Sequence, residues 1–143
     1  MDAAAIEQLI PHRGRMRLIG SIVSIGSDIA ITSAVVSDTW PLCSGGFMSP
    51  IVLIEVVAQT AAVLSSWKKG ESKSAITAGM LTGIKKAEFF VDEVPLHAEL
   101  TTTATIMYSL DDYEAMEGTV MMGQTCFCKV QLQVFALRAE PGP

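Results

Sequence analysis

Ser49-Pro50-Ile51-Val52-Leu53-Ile54-Glu55-Val56-Val57-Ala58-Gln59-Thr60-Ala61-Ala62-Val63-Leu64-Ser65-Ser66-Trp67 is the stretch that decides the fold. Ser49 offers a helix cap. Pro50 suits the first helical position, because its missing N–H has no intrahelical partner there. From Ile51 onward the stretch is apolar on nearly every side, the mark of a helix buried all round. β-Branched residues are frequent in it, so enclosure by the rest of the chain, rather than intrinsic propensity, must keep it helical. Lys68-Lys69-Gly70 predicts its end just beyond Trp67, with positive charge and a glycine where a C-terminus prefers them.

Upstream, residues 3–10 read as a short helix capped by Asp2, edged by Ile6, Leu9 and Ile10 and stopped by Pro11. Two strands come next at about 16–25 and about 29–37, parted by the turn residues Gly26-Ser27-Asp28. Residues 38–49 break the pattern: a loop with adjacent Gly45 and Gly46 and no charge after Asp38. An apolar loop leading into a buried helix can line a pocket. Downstream of Gly70 the pattern is strand, at about 74–80, 83–91, 97–109, 113–122 and 124–137. In the last of these Cys126, Cys128, Val130, Leu132 and Val134 fall on one face, with Lys129, Gln131 and Gln133 on the other. Asp111-Asp112 marks a hairpin. A lone helix that is hydrophobic all round needs cover on every side. The expectation is therefore an α+β fold, one domain over residues 1–143, with a long central helix wrapped by a curled antiparallel sheet and a second subunit closing the rest.

Composition narrows the function. Half of the 143 residues are hydrophobic and 17% are charged, a surplus that predicts contact with a partner subunit or an apolar ligand, and hence a homodimer or higher oligomer. The net charge of −5 excludes a duplex nucleic-acid surface, which needs clustered Lys and Arg. The basic residues are bunched as Arg13, Arg15 and Arg17, as Lys68 and Lys69, and as Lys85 and Lys86. Such bunches are ordinarily solvated charge; in a functional reading they dock an acidic carrier protein or a phosphate-bearing cofactor. Cys43, Cys126 and Cys128 form no C-x-x-C pair and have no nearby His, so no metal is expected and buried free thiols in a reducing cytosol are. Met1-Asp2-Ala3-Ala4-Ala5 lacks the basic and apolar regions of a secretory signal, and Ile51 to Leu64 is too short and too polar to span a bilayer. A cytoplasmic location is the expectation.

Glu55 is the residue that asks for a role. An unpartnered carboxylate among Ile51-Val52-Leu53-Ile54 and Val56-Val57-Ala58 costs several kcal/mol, roughly, or stays protonated. Such a site favours function, while a structural carboxylate at a subunit seam is the alternative. Gln59, four residues on along the same helical face, can hold the carboxyl in one orientation. Gly45-Gly46 and the helix start offer N–H groups for a thioester carbonyl or an enolate-like oxygen, although a tight turn is the better explanation of two adjacent glycines. His12 and His97 read as structural, because nothing near them in sequence forms a base–nucleophile pair. No G-x-S-x-G, Walker loop or G-x-G-x-x-G occurs.

Three segments resemble the β-hydroxyacyl-(acyl-carrier-protein) dehydratases of fatty acid synthesis. Ile10-Pro11-His12-Arg13 with Met16-Arg17-Leu18-Ile19 is similar to that family's L-P-H-R segment and first strand. Met48 through Gln59 resembles its helix motif, apolar residues and then E-x-x-A-Q. Leu81 to Phe89 with Val94-Pro95 resembles its G-I-x-x-A-x-F strand and V-P-G-D segment. The resemblance implies a hot-dog fold, no cofactor, and as ligand an acyl thioester on the phosphopantetheine of an acyl carrier protein or CoA. It puts Glu55 at the family's helix carboxyl, which handles the 3-hydroxyl as it leaves as water. Gly45, Gly46, Phe47 and Gln59 are then expected to contact substrate, and Arg13, Lys85 and Lys86 to dock the carrier. In the family a His in a G-H-F-P loop removes the α-proton, but counting back from Met48 sets Trp40-Pro41-Leu42-Cys43 there, with Pro41 at the histidine's place. Three activities fit this departure. One is a lyase that dehydrates with Glu55 and the Gly45–Gly46 amides. Another is a non-catalytic subunit of an active dehydratase, to which the dehydratase-like proteins of aryl-polyene pigment clusters are similar. The third is a thioesterase in which Glu55 activates water.

Overall fold

The central helix is α2, Val52–Ser72, in a computed structural model that describes residues 3–72 and 77–138. α1 (Ala3–Leu9) precedes it, as do β1 (Ser21–Ile25), β2 (Ile29–Val35), and the two-residue strands β3 (Cys43–Ser44) and β4 (Phe47–Met48). β5 (Thr77–Phe89), β6 (Val94–Pro95), β7 (Glu99–Leu110), β8 (Tyr113–Met122) and β9 (Thr125–Arg138) come after it. Six strands form one antiparallel sheet in the order β1-β2-β7-β8-β9-β5, while β3, β4 and β6 form a small second sheet. This is the α+β, hot-dog arrangement in which a sheet curls around one helix.

Alternation along the strands points one face at α2. Leu100 and Ala104 of β7, Met116 and Val120 of β8, and Val130, Leu132 and Val134 of β9 are buried against Leu53, Val56, Val57, Ala61 and Leu64. Burying each such side chain contributes roughly 1.5–3 kcal/mol. Gly118 on β8 lets the helix approach, since a Cβ there would overlap Val57 Cγ1. A polar pair in this layer satisfies itself: the Thr32 and Thr60 hydroxyls lie 2.8 Å apart, and Thr60 Oγ1 donates to Val56 O at 2.9 Å.

The helix departs from expectation in two ways. It is not enclosed all round, because Ile51, Glu55, Ala58, Ala62 and Ser66 form a stripe that is exposed or half-buried in the single protomer. It also continues through Lys68-Lys69-Gly70 to Ser72. The tether is Glu114 on β8, buried to 7% exposure, which accepts from Ser65 Oγ at 2.9 Å and pairs with Lys68 Nζ at 3.5 Å. Holding the last turns this way offsets the cost of about 1 kcal/mol for an interior glycine.

The strands differ too. The segments expected at 74–80 and 83–91 are one strand, β5, in which Gly83 pairs with Gln133 and a bulge at Lys85 absorbs the irregularity; residues 74–76 and Asp2 lie outside the described residues. β1 begins only at Ser21, because residues 16–19 bond to Gln59 instead of to a strand. His97 sits in a turn at φ +68° ahead of β7 rather than on the strand. A register shift opposite Val120 and Met121 brings Phe127 into the core beside Cys128, so the shared face runs from Cys128 to Val134 and Cys126 is only half-buried. Of the three free thiols only Cys128 is fully buried, which pushes its pKa up to about 12.

Candidate functional site

Glu55 lies in the first turn of α2, where the unpaired N–H groups of a helix start favour a carboxylate. Its side chain is 49% exposed in the protomer, so it is not the enclosed acid that the flanking apolar residues imply. Val52, Leu53, Val56 and Val57 point into the core, whereas Glu55 belongs to the open stripe with Ile51 and Ala58. It forms one wall of a depression of about 240 Å³, lined also by Arg15, Met16, Leu18, Thr39 and Pro41.

Gln59, 0% exposed, orients the acid. Its Oε1 accepts from Leu18 N at 2.9 Å and Ile19 N at 3.4 Å; its Nε2 donates to Met16 O at 2.7 Å and to Glu55 Oε1 at 3.1 Å. An amide has two donor hydrogens and two acceptor lone pairs, and all four are in use. Gln59 is therefore turned inward, stitching the 16–19 segment to α2 and fixing Glu55, with nothing left for a substrate.

A second side chain reaches the same carboxyl. His12 Nε2 lies 3.2 Å from Glu55 Oε1, while its Nδ1 is buried with no partner. The contact spans 43 positions and is closed by the fold, so neighbouring residues in sequence give no sign of it.

Gly45 and Gly46 form the two-residue turn between β3 and β4, at φ +61° and +86°, the left-handed conformation such hairpins prefer. They and Phe47 are exposed and stand apart from the depression's lining. Pro41 is on that lining and brings no titratable group to the place of the loop histidine. Arg13 is folded back on α1, donating to Glu7 O at 2.6 Å, Ile10 O at 2.7 Å and His12 O at 2.9 Å, so it caps a helix end rather than reaching outward. Lys86 pairs with Glu88 at 3.4 Å, and Lys85 lines a separate hollow with Met107, Tyr113 and Gln131. The cation at the depression is Arg15, which the i, i+2 spacing of Arg13, Arg15 and Arg17 did not single out. Among the described residues no group of three His, Cys, Asp or Glu is placed to hold a metal, and no helix is long and apolar enough to cross a membrane.

The family model for the ApeP dehydratase matches residues 4–141. The chain belongs to the ApeP-like dehydratase family. It is 30% identical over 112 residues to the 3-hydroxyacyl-(acyl-carrier-protein) dehydratase FabZ of Streptococcus pyogenes serotype M3, covering 75% of this chain and 78% of that one. FabZ of Streptococcus pneumoniae serotype 4 is also 30% identical over 112 residues, covering 75% and 77%. In fold the chain is similar to the dehydratase heterocomplex ApeI:P from Xenorhabdus doucetiae, with a TM-score of 0.81, 19% identity and coverage of 92% and 90%. The family and the fold agree with the hot-dog, dehydratase-like resemblance of the helix and strand segments.

Proposed function

We propose that this chain acts on 3-hydroxyacyl thioesters carried on phosphopantetheine, as one hot-dog domain of a dehydratase in the cytoplasm, with Glu55 as its acid. One observation carries the reading. In a chain of this family, Glu55 Oε1 accepts from Gln59 Nε2 and lies beside His12 Nε2, and the side chain faces an open depression walled by Met16, Leu18 and Pro41. An acid so placed can protonate a departing 3-hydroxyl, while the apolar wall suits an acyl chain. The open stripe on α2 and the long edge strand β5 support a second protomer closing the depression, as a homodimer or higher oligomer. Arg15 supports a carrier or phosphate on the exposed side. Free thiols support a reducing compartment.

A second reading has a specific observation in its favour. Pro41 stands where a base is needed, so the α-proton has to go to an imidazole of another chain. The similarity to one of the chains of a dehydratase heterocomplex supports a histidine-bearing partner as its source.

The test is dehydration of carrier-linked 3-hydroxyacyl substrate, monitored by enoyl-thioester absorbance, with the protein alone and mixed with a histidine-bearing dehydratase of the family. Glu55→Gln is expected to lower the rate about 100- to 10,000-fold, the usual worth of a positioned acid. Release of free thiol without enoyl product would instead make the protein a thioesterase.

A further inference from the structure

The family's loop histidine is missing, yet an imidazole does touch the acid. We propose that His12 is the positioning residue for Glu55: its Nε2–H fixes Oε1, leaving Oε2 as the oxygen offered to the substrate. This inference rests on the reading of Glu55 as the acid.

The geometry comes from two directions. Gln59 approaches Oε1 from one turn along α2, at 3.1 Å, and His12 approaches it from the segment that crosses the helix, at 3.2 Å. Among the described residues no hydrogen bond is made to Oε2. A carboxyl with both contacts on one oxygen cannot spin freely, and the other oxygen is left to carry the proton that the departing 3-hydroxyl takes up. The tautomer is set at the other nitrogen. Nδ1 is enclosed and partnerless whether or not it carries the proton, so the contact of Nε2 with Glu55 decides between the two forms. On Nε2 the same proton meets a carboxylate.

The segment carrying His12 is itself held. Arg13 clamps three carbonyls around it, His12's own among them, and Gln59 pins Met16, Leu18 and Ile19 beyond it. Its side chain is 26% exposed, unlike a loose surface histidine. The charged neighbours are Arg13, Arg15 and Arg17 from the same segment, Glu7 from α1 and Glu55 from α2. A stability role alone would be minor, because a half-exposed pair contributes at most about 1 kcal/mol. His12 does not line the depression, so it acts through Glu55.

His12→Phe and His12→Gln are to be compared in the dehydration assay, alone and with the histidine-bearing partner. Loss of the donor lets the acid drift, and displacements near 1 Å cost up to about 100-fold. His12→Phe is therefore expected to lower kcat about 10- to 100-fold with KM unchanged, and His12→Gln, which keeps an N–H donor, to recover most of that loss. Ring-nitrogen NMR gives a readout independent of turnover, since the chain has two histidines. The His12 signals should show the proton on Nε2 and move in Glu55→Gln, while those of His97 stay. Full kcat in His12→Phe, a Gln variant no better than Phe, or a proton on Nδ1 overturns the proposal. If the unmodified protein dehydrates nothing in either company, the acid assignment falls with the dehydratase reading, and the NMR result alone decides whether His12 holds the carboxyl.

Discussion

Replacing Gln59 with leucine removes the joint between α2 and the 16–19 segment while keeping much of the side-chain volume. Four contacts go. The contact from Ile19 N at 3.4 Å is long and counts for little, but Leu18 N at 2.9 Å loses its acceptor in a buried place and Met16 O at 2.7 Å loses its donor. Each buried group left unpaired costs about 1–3 kcal/mol. Added apolar burial offsets about 1 kcal/mol of that. The net loss is then about 1–5 kcal/mol, out of the ~5–15 kcal/mol that holds a domain folded. Urea unfolding at fixed protomer concentration measures it as a drop in midpoint with an unchanged m value, and heating as a fall in Tm of about 3–20 °C. Glu55→Gln, which leaves the three backbone partners in place, should stay within about 0.5 kcal/mol of the unmodified protein, as surface substitutions do. A Gln59→Leu protein that loses under about 0.5 kcal/mol would show that the 16–19 segment does not depend on that amide.

Gly118→Ala forces a methyl against Val57 and should cost about 1–3 kcal/mol in urea unfolding, with Val57→Ala in the same chain recovering part of the loss. Glu114→Ala strands Ser65 and Lys68 and should cost about 1–3 kcal/mol, read as loss of helical signal and a lower midpoint. At pH 8, iodoacetamide should label Cys43 and Cys126 well before Cys128, whose burial holds its thiol protonated until about pH 12. Because that pKa is raised in the folded state from 9.0, Cys128 contributes stability that is present below pH 9 and is lost as pH climbs toward 12; a Cys128→Ala protein should lack this alkaline decline.

The architecture was legible because its signals are periodic. The apolar run from Ile51 to Leu64 and the alternation from Cys128 to Val134 each fix what they face, and Asp111-Asp112 lies where the chain turns into β8. What escaped depends on contacts distant in sequence. Gly70 stays helical because Glu114, more than forty positions on, holds the turn before it. Gln59 was legible as the holder of Glu55, four residues back on the helix, but it also looked like a ligand contact because its three backbone partners are not visible as side-chain pattern. His12 looked structural for the same reason: its partner lies on another element. Glu55 itself was legible as the residue with a role, but not its exposure, since spacing along a helix does not say which stripe a single protomer leaves uncovered.

The two ends of the large sheet are unequal. One is the five-residue β1 and the other is the thirteen-residue β5, whose far side carries no strand among the described residues; both strands are interrupted by register shifts. If two copies join through β5, the longer of the two free margins is used up within the pair, and any further addition would have to run along the short β1.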